Sequence, residues 1–84
     1  MPRQGAITLF GREECELCDR AEQLFYQVAG PGGPALNKVD IDSDAALLAR
    51  YRFVIPVLRC NANGSELCWP FPPSRLREFL AQAR

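Results

Sequence analysis

Cys15-Glu16-Leu17-Cys18 places two thiols three residues apart, close enough to form a disulfide within one helical turn. Residues 6–10, directly upstream, are mostly apolar and are predicted to form a short buried strand. Downstream, apolar side chains recur at helical spacing, at Leu17, Ala21, Leu24, Phe25 and Val28. The cysteine pair is therefore expected at a turn between a strand and a helix. There, unpaired backbone N–H groups of the helix face the anion of the first thiol.

A second strand and a second helix are predicted after this unit. The glycine- and proline-rich residues 30–34 end the first helix, because proline and glycine cannot continue it. Residues 35–41 then have the character of a strand, which would complete a right-handed βαβ unit. Asp42 or Ser43 is predicted to cap a short helix over residues 45–51.

The next segment predicts a β-hairpin. Strand three is expected to begin at Pro56 or Val57, where a proline does not disturb the strand, and to end near Asn61. Asn63-Gly64 is typical of a two-residue hairpin turn. Strand four would then cover residues 65–69.

The order of the predicted elements fixes a fold class. Ser74 is expected to cap a last helix, whose apolar positions are Leu76, Phe79, Leu80 and Ala83. The resulting order is βαβαββα, with two parallel strands and one closing hairpin. We therefore predict a single α/β domain over residues 1–84, with a four-stranded mixed sheet and helices on both faces.

The bulk composition excludes several classes of function. The 84 residues include ten basic and ten acidic side chains, and no nucleic-acid or membrane-surface partner is expected without a basic excess. No apolar run is long enough to span a membrane, and the N-terminus does not resemble a secretory signal, so a cytoplasmic monomer is the expectation. The absence of histidine removes Cys–His nucleophile pairs and histidine metal ligands.

Four segments together resemble the thioredoxin superfamily and, within it, the glutaredoxins. They are Thr8-Leu9-Phe10, Cys15-Glu16-Leu17-Cys18-Asp19, Val39-Asp40-Ile41-Asp42 and residues 51–58, which carry an Ile-Pro step at the entry to strand three. The length of the chain fits glutaredoxin rather than thioredoxin, which carries an extra N-terminal strand and helix. The chain resembles the small bacterial glutaredoxin-like group once described as a domain of unknown function. The resemblance covers nearly the whole chain and implies a thioredoxin-like fold with a thiol–disulfide oxidoreductase activity.

Cys15 is predicted to be the nucleophile and Cys18 the resolving thiol. Cys15 would lie at the N-terminal end of the first helix, where thiolates are stabilised, and Cys18 would lie one turn further on. The alternative is that both are structural cysteines on a buried helix face. The only additional component expected is an external thiol reductant, such as glutathione, acting with a disulfide-containing protein or a small thiol. No metal ion or bound cofactor is expected.

The resemblance also implies three substrate-binding residues. A cis peptide bond between Ile55 and Pro56 would face the cysteine pair and turn the backbone groups of Ile55 toward an extended thiol substrate. Arg12 stands where many glutaredoxins place a lysine near the glutathione carboxylate. The alternatives are a trans proline that only begins an edge strand, and a solvated arginine in a turn.

The chain departs from the glutaredoxin pattern near the glutathione site. Glu16 and Leu17 replace the usual Pro-Tyr between the cysteines, and the Gly-Gly-x-Asp segment that holds the γ-glutamyl end of glutathione is missing. Cys15 is also surrounded in sequence by acidic residues, namely Glu13, Glu14, Glu16 and Asp19. Since carboxylates disfavour a nearby thiolate, we expect Cys15 to be less acidic than its helix position alone would make it, with Arg12 and Arg20 offsetting part of the effect.

Cys60 and Cys68 are predicted to be buried structural cysteines. A two-residue turn would pair Cys60 with Leu67 and Arg59 with Cys68, so the two thiols would point to opposite faces of the sheet and would not form a disulfide. Their spacing is also unlike that of a four-cysteine zinc or iron–sulfur site.

Two other functions share this fold. A redox-silent adaptor would bind a protein through the aromatic and proline-rich residues 69–73, although packing of this segment between the last helix and the sheet is the expected arrangement. A metal or iron–sulfur carrier would hold iron or copper through Cys15 together with an external thiol.

Overall fold

The centre of the sheet is a five-residue strand, β1 (Ile7–Gly11), in which every residue is buried. In the computed structural model, which describes residues 6–82, the other elements follow in the predicted order. They are α1 (Glu16–Ala29), β2 (Leu36–Asp40), a 3₁₀ turn (Ile41–Ser43), α2 (Ala45–Tyr51), β3 (Val57–Cys60), β4 (Glu66–Cys68) and α3 (Pro73–Gln82).

The strands form one mixed sheet in the order β2-β1-β3-β4. β2 runs parallel to β1, while β3 is antiparallel to both β1 and β4. Because successive side chains of a strand point to opposite faces, Leu9 and Phe10 belong to two different cores. The predicted thioredoxin-like α/β arrangement is confirmed.

Helices cover both faces of this sheet. On one face, α1 and α3 pack on β1 and β3 through a buried cluster of Ile7, Leu9, Ala21, Phe25, Leu58, Cys60, Leu67, Phe71 and Leu76. On the other face, α2 and the 3₁₀ turn pack through Phe10, Ile41, Tyr51 and Val57. The carboxyl end of β1 thus lies between the two cores and is followed directly by the cysteine pair.

The buried stripe of α1 differs from the predicted one. It runs through Cys18, Ala21 and Phe25, at helical spacing, whereas Leu17 keeps 43% of its surface exposed. Leu17 and Cys18 are about 100° apart around the helix, so only one of them can face the sheet centre. The helix is rotated to bury the second cysteine, and the expectation that Leu17 belongs to the core face is wrong.

Two helix caps were also predicted at the wrong residue. Asp44 caps α2, since its carboxylate accepts hydrogen bonds from the N–H groups of Ala46 (2.7 Å) and Leu47 (3.3 Å). The predicted caps, Asp42 and Ser43, are part of the 3₁₀ turn instead.

The last helix, α3, begins one residue before its predicted cap. Pro73 is its first residue and Ser74 its second. A helix tolerates proline at its first position, because the N–H groups of the first turn have no partner within the helix. Leu76 is fully buried as predicted, while Ala83 lies outside the described residues.

The hairpin is shifted by two residues from the predicted register. Leu58 pairs with Leu67, and the N–H of Cys60 donates to the carbonyl of Ser65 (2.8 Å), so residues 61–64 form the turn. Asn61 is held elsewhere, because its N–H donates to the carbonyl of Ala6 (3.0 Å) and continues the pairing of β3 with β1.

A register shift of two residues leaves each side chain on the same face of the sheet, so Cys60 and Cys68 still point to opposite faces. Both are free thiols, as expected. Cys60 is buried, but Cys68 is exposed, because it lies on the edge strand β4 outside the area that α2 covers. The predicted burial of Cys68 is wrong.

Candidate active site

Cys15 and Cys18 lie where β1 is connected to α1. Cys15 has an extended backbone (φ −117°, ψ 103°) and caps α1, and its sulfur accepts a hydrogen bond from the N–H of Cys18 at 3.1 Å. The two cysteines form a disulfide, with their Cα atoms 5.2 Å apart. The first sulfur is therefore at the N-terminus of the helix, where N–H groups and the helix dipole stabilise a thiolate.

The two sulfurs differ in their access to solvent. Cys15 is half-buried, whereas Cys18 keeps only 6% of its surface exposed and packs against β1. A substrate approaching from solvent therefore reaches Cys15 first. This asymmetry is what an attacking and a resolving thiol require.

Gly11 is a site residue that the sequence interpretation missed. A Cβ atom at position 11 would lie 3.0 Å from the Cys18 sulfur and 3.2 Å from its Cβ, which is closer than side chains normally approach. The lack of a side chain at Gly11 lets Cys18 sit against the end of β1. A glycine at the end of an otherwise apolar strand was the available signal.

Arg12 forms a forked ion pair with Asp42. Its Nε lies 3.1 Å from one carboxylate oxygen and its Nη2 lies 3.0 Å from the other. Asp42 is fixed in turn, because its N–H donates to the side chain of Asp40 at 2.9 Å. Arg12 is thus a positioned residue rather than a freely solvated one. Asp42 is a second site residue that the sequence interpretation did not assign.

Ile55 lines the same surface depression as Cys15 and Arg12. The Ile55–Pro56 peptide bond is cis, the isomer that the resemblance implies. Pro56 is buried, and its carbonyl accepts a hydrogen bond from the N–H of Trp69 at 3.0 Å. The N–H of Ile55 donates to the carbonyl of Tyr51 at 3.2 Å. An extended substrate that paired with this N–H would have to displace that bond.

Carboxylates dominate the charge around Cys15. Its depression is lined by Arg12, Glu13, Glu14, Cys15, Asp42 and Ile55. Both arginines that were expected to offset the acidic residues are paired with carboxylates, Arg12 with Asp42 and Arg20 with Glu16 (3.3 Å). Glu13 and Glu14 are exposed and form no ion pair within residues 6–82.

A second hollow reaches Cys18 from the side of β2. Its wall includes Gly11, Asp19, Glu22 and Lys38. The Glu22 carboxylate lies 3.0 Å from the Lys38 ammonium group, and this hydrogen bond, together with the charge of Glu22, raises the pKa of Lys38 above its ordinary value. Because the Lys38 side chain is 59% exposed, solvent screens this ion pair and it carries little energy.

The segment proposed for the adaptor function is packed as expected. Phe71 keeps 5% of its surface exposed within the core under α3, and Trp69 contacts it edge-on with ring centres 5.1 Å apart. Among residues 6–82, no three side chains of the metal-binding types converge on one point. None of the helices in this range is long and apolar enough to cross a membrane.

Comparison with known proteins agrees with this geometry. The profile of the glutaredoxin-like domain family (DUF836) matches residues 6–81. The chain belongs to the glutaredoxin-like domain family. This finding confirms the resemblance seen in the sequence.

Solved structures share the fold of this glutaredoxin-like chain. The X-ray structure of the structural-genomics target protein XcR50 from X. campestris is 43% identical, with a TM-score of 0.81, and the match covers 94% of this chain and 100% of that chain. A solution structure of XcR50 gives 45% identity, a TM-score of 0.80 and coverage of 94% and 96%. No curated protein matches the chain.

Proposed function

We propose that this glutaredoxin-like protein is a thiol–disulfide oxidoreductase. The observation that carries the proposal is the placement of Cys15 as the cap of α1, in a disulfide with the more deeply buried Cys18. A dithiol in this position has an accessible sulfur at a helix N-terminus and a second sulfur within bonding distance of the first.

The proposed reaction begins with the reduced protein. The Cys15 thiolate attacks one sulfur of a substrate disulfide, so that a Cys15–substrate bond forms while the substrate S–S bond breaks and the other substrate sulfur leaves as a thiolate. Cys18, after losing its proton to water, attacks the Cys15 sulfur and releases the second substrate thiolate. Two electrons have then passed from the dithiol to the substrate, and the Cys15–Cys18 disulfide remains.

An external thiol completes the cycle, and no resident cofactor takes part. Two molecules of a small thiol, such as glutathione, or one dithiol protein would reduce the Cys15–Cys18 disulfide by the reverse exchange. A cytoplasmic compartment, which maintains such thiols, and action as a monomer are parts of the proposal. Arg12, Ile55 and Pro56 would form the substrate-binding wall of the depression beside Cys15.

Cysteine replacements test the proposal directly. Cys15→Ser should lower the rate of disulfide reduction to the level without protein, because the attacking sulfur is gone. Cys18→Ser should still react once and then stop as a mixed disulfide, which mass spectrometry detects as an added substrate mass. Cys68→Ser, at an exposed thiol on β4, is the matched control and should retain activity.

The proposal would be overturned if Cys15→Ser kept the turnover of the unmodified protein. Retained turnover in Cys18→Ser would mean instead that a single thiol is enough, with the external thiol resolving the mixed disulfide.

A further inference from the structure

The rim of the Cys15 depression has two negative charges in excess. Arg12 and Asp42 neutralise each other through contacts of 3.0 and 3.1 Å. Glu13 and Glu14 lie in the turn between β1 and α1, and both line the depression without an ion-pair partner in the part of the chain that the structure describes. A bound substrate is therefore exposed to a net negative field at the position of the reacting sulfur.

The same geometry disfavours a small anionic thiol. Glutathione carries two carboxylates and one ammonium group, so its disulfide has a net negative charge. Asp42 already binds Nε and one Nη2 hydrogen of Arg12 and neutralises its charge, so a glutathione carboxylate could bind only the remaining N–H groups of a guanidinium that is already paired. Arg12 also shares the depression with Glu13 and Glu14, and like charges at a binding site reject a ligand.

Exposed apolar side chains occur within two residues of the residues that line the depression, in two segments of the chain. Leu17 follows Cys15 by two residues on α1 and is 43% exposed. Phe53 (86% exposed) and Val54 (43% exposed) directly precede Ile55, which lines the depression. Apolar surface beyond the reacting sulfur can be covered only by a substrate that extends past its own disulfide, as a polypeptide does.

We propose that Glu13 and Glu14, with the apolar rim of Leu17, Phe53 and Val54, select disulfides in positively charged, extended polypeptide segments over glutathione disulfide. This inference rests on the proposed oxidoreductase function and names its substrate class. Glutathione would serve as the reductant only in large excess, because its attack on Cys15 meets the same negative charges of Glu13 and Glu14.

The test compares substrates that differ only in charge. Two synthetic peptides carry one cysteine in a mixed disulfide with 5-thio-2-nitrobenzoate, flanked by lysines in one and by glutamates in the other. The fully reduced protein is mixed with each peptide, and the rate constant for release of 5-thio-2-nitrobenzoate is measured. This rate constant is divided by the rate constant of the same peptide with 2-mercaptoethanol, which corrects for the intrinsic reactivity of the peptide disulfide. The lysine peptide should react about fivefold faster or more at low salt. The ratio should approach one in 1 M NaCl, where the Debye length falls to about 3 Å.

Charge-neutral variants locate the effect. Glu13→Gln and Glu14→Gln should each lower the lysine-to-glutamate ratio by about twofold, because each removes one of the two unpaired carboxylates. Glu78→Gln removes the same charge from α3, outside the depression, and is the matched control that should leave the ratio unchanged.

A neutral disulfide separates the two ways in which the idea can fail. Bis(2-hydroxyethyl) disulfide carries no charge and tests only whether Cys15 reacts. If the protein reduces it at a rate that depends on Cys15 but shows equal rates with the two peptides, or keeps its preference in both glutamine variants, the charge selection is wrong. If it does not reduce the neutral disulfide, the oxidoreductase function itself is wrong.

Discussion

At the scale of single residues, the site depends on how closely Cys18 can approach the end of β1. Gly11 and Cys18 are in contact only because position 11 has no side chain. The contact fixes the rotation of α1, which in turn leaves Cys15 at the surface and buries Cys18. Gly11 is therefore a positioning residue for Cys18, the resolving thiol of the proposed reaction, although it takes no part in the proposed exchange itself.

Gly11→Ala tests this role. The new methyl group would lie 3.0 Å from the Cys18 sulfur, and such overpacking should lower the free energy of unfolding by about 1–3 kcal/mol. Urea denaturation of the oxidised protein measures this loss. Since Cys18 must move away from position 11 and so lose its present alignment with Cys15, the mixed disulfide should also persist longer than in the unmodified protein. Mass spectrometry of samples quenched at successive times measures its lifetime.

Gly32→Ala is the matched control for that change. A Cβ there has no neighbour within 4 Å, so its stability should stay within about 0.5 kcal/mol of the unmodified protein. A Gly11→Ala protein of normal stability that resolves the mixed disulfide at the normal rate would show that position 11 does not position Cys18.

Residue types and spacing predicted some of these roles but not others. The Cys15–Cys18 spacing and the adjoining strand and helix patterns were sufficient to predict the thiol pair. Gly11 and Asp42 were missed, because their roles arise from contacts. The role of Gly11 depends on the rotation of α1. The role of Asp42 depends on its ion pair with Arg12, which lies 30 residues away in the sequence.

At the scale of elements, α2 is attached to the sheet edge by Tyr51, its last residue. The ring of Tyr51 stacks on Phe10 of β1 at 4.4 Å, and its hydroxyl donates to the carboxylate of Glu66 in β4 at 2.5 Å. Arg59, in β3, lies 3.5 Å from the same carboxylate. This network holds the C-terminus of α2, from which the chain continues to Ile55 at the site.

The Tyr51 network should give the fold an alkaline limit. Burial, and then the hydrogen bond to Glu66, raise the pKa of Tyr51 above its ordinary value of 10.0. The folded state thus holds the phenol proton more tightly than the unfolded state does. This contribution is fully present below about pH 10 and is lost as the pH rises through the folded-state pKa. The free energy of unfolding of Tyr51→Phe should therefore fall less steeply above pH 10 than that of the unmodified protein.

Denaturant titrations between pH 7 and 11 measure this difference. At pH 7, Tyr51→Phe should cost about 1–3 kcal/mol, because a hydrogen bond to a charged group is lost. Deprotonation of Lys38 also lowers the free energy of unfolding as the pH rises, but it does so equally in Tyr51→Phe and in the unmodified protein. Tyr26→Phe, at a tyrosine that is 53% exposed, is the control and should follow the unmodified protein. An identical alkaline slope in Tyr51→Phe would contradict the argument.

Element boundaries could be predicted less well than element order. Local patterns predicted each strand and helix, but the hairpin register was wrong by two residues. Asn63-Gly64 favoured a two-residue turn, and the pairing of Asn61 with Ala6 of the neighbouring chain segment overrode that preference. The cap of α2 moved to Asp44 for a similar reason, since the 3₁₀ turn after β2 uses the two residues that were expected to cap it.

At the scale of the whole molecule, one phenylalanine stabilises the core and another belongs to the proposed contact with substrate. Phe25, on α1, is fully buried in the core that α1 and α3 form with the sheet, whereas Phe53, two residues before Ile55 of the site, is 86% exposed. A large apolar side chain that contributes nothing to the core is free to serve as a contact for a partner. Mutations can therefore separate the contribution of an aromatic side chain to stability from the proposed contact with substrate.

Phe25→Ala and Phe53→Ala should separate them. Phe25→Ala leaves a cavity and should cost about 3–5 kcal/mol. That loss is a large part of the roughly 4–13 kcal/mol expected for a domain of this size. Phe53→Ala should stay within about 1 kcal/mol, because Phe53 gives up only its contact with the Arg52 guanidinium at 4.9 Å. Urea denaturation measures both losses of stability.

The activity of the Phe53→Ala protein, which remains folded, tests the substrate contact. If Phe53 contacts the substrate, this protein should reduce a polypeptide disulfide more slowly and bis(2-hydroxyethyl) disulfide at an unchanged rate. A loss of 3 kcal/mol or more in Phe53→Ala would instead make Phe53 part of the fold and remove it from the apolar rim.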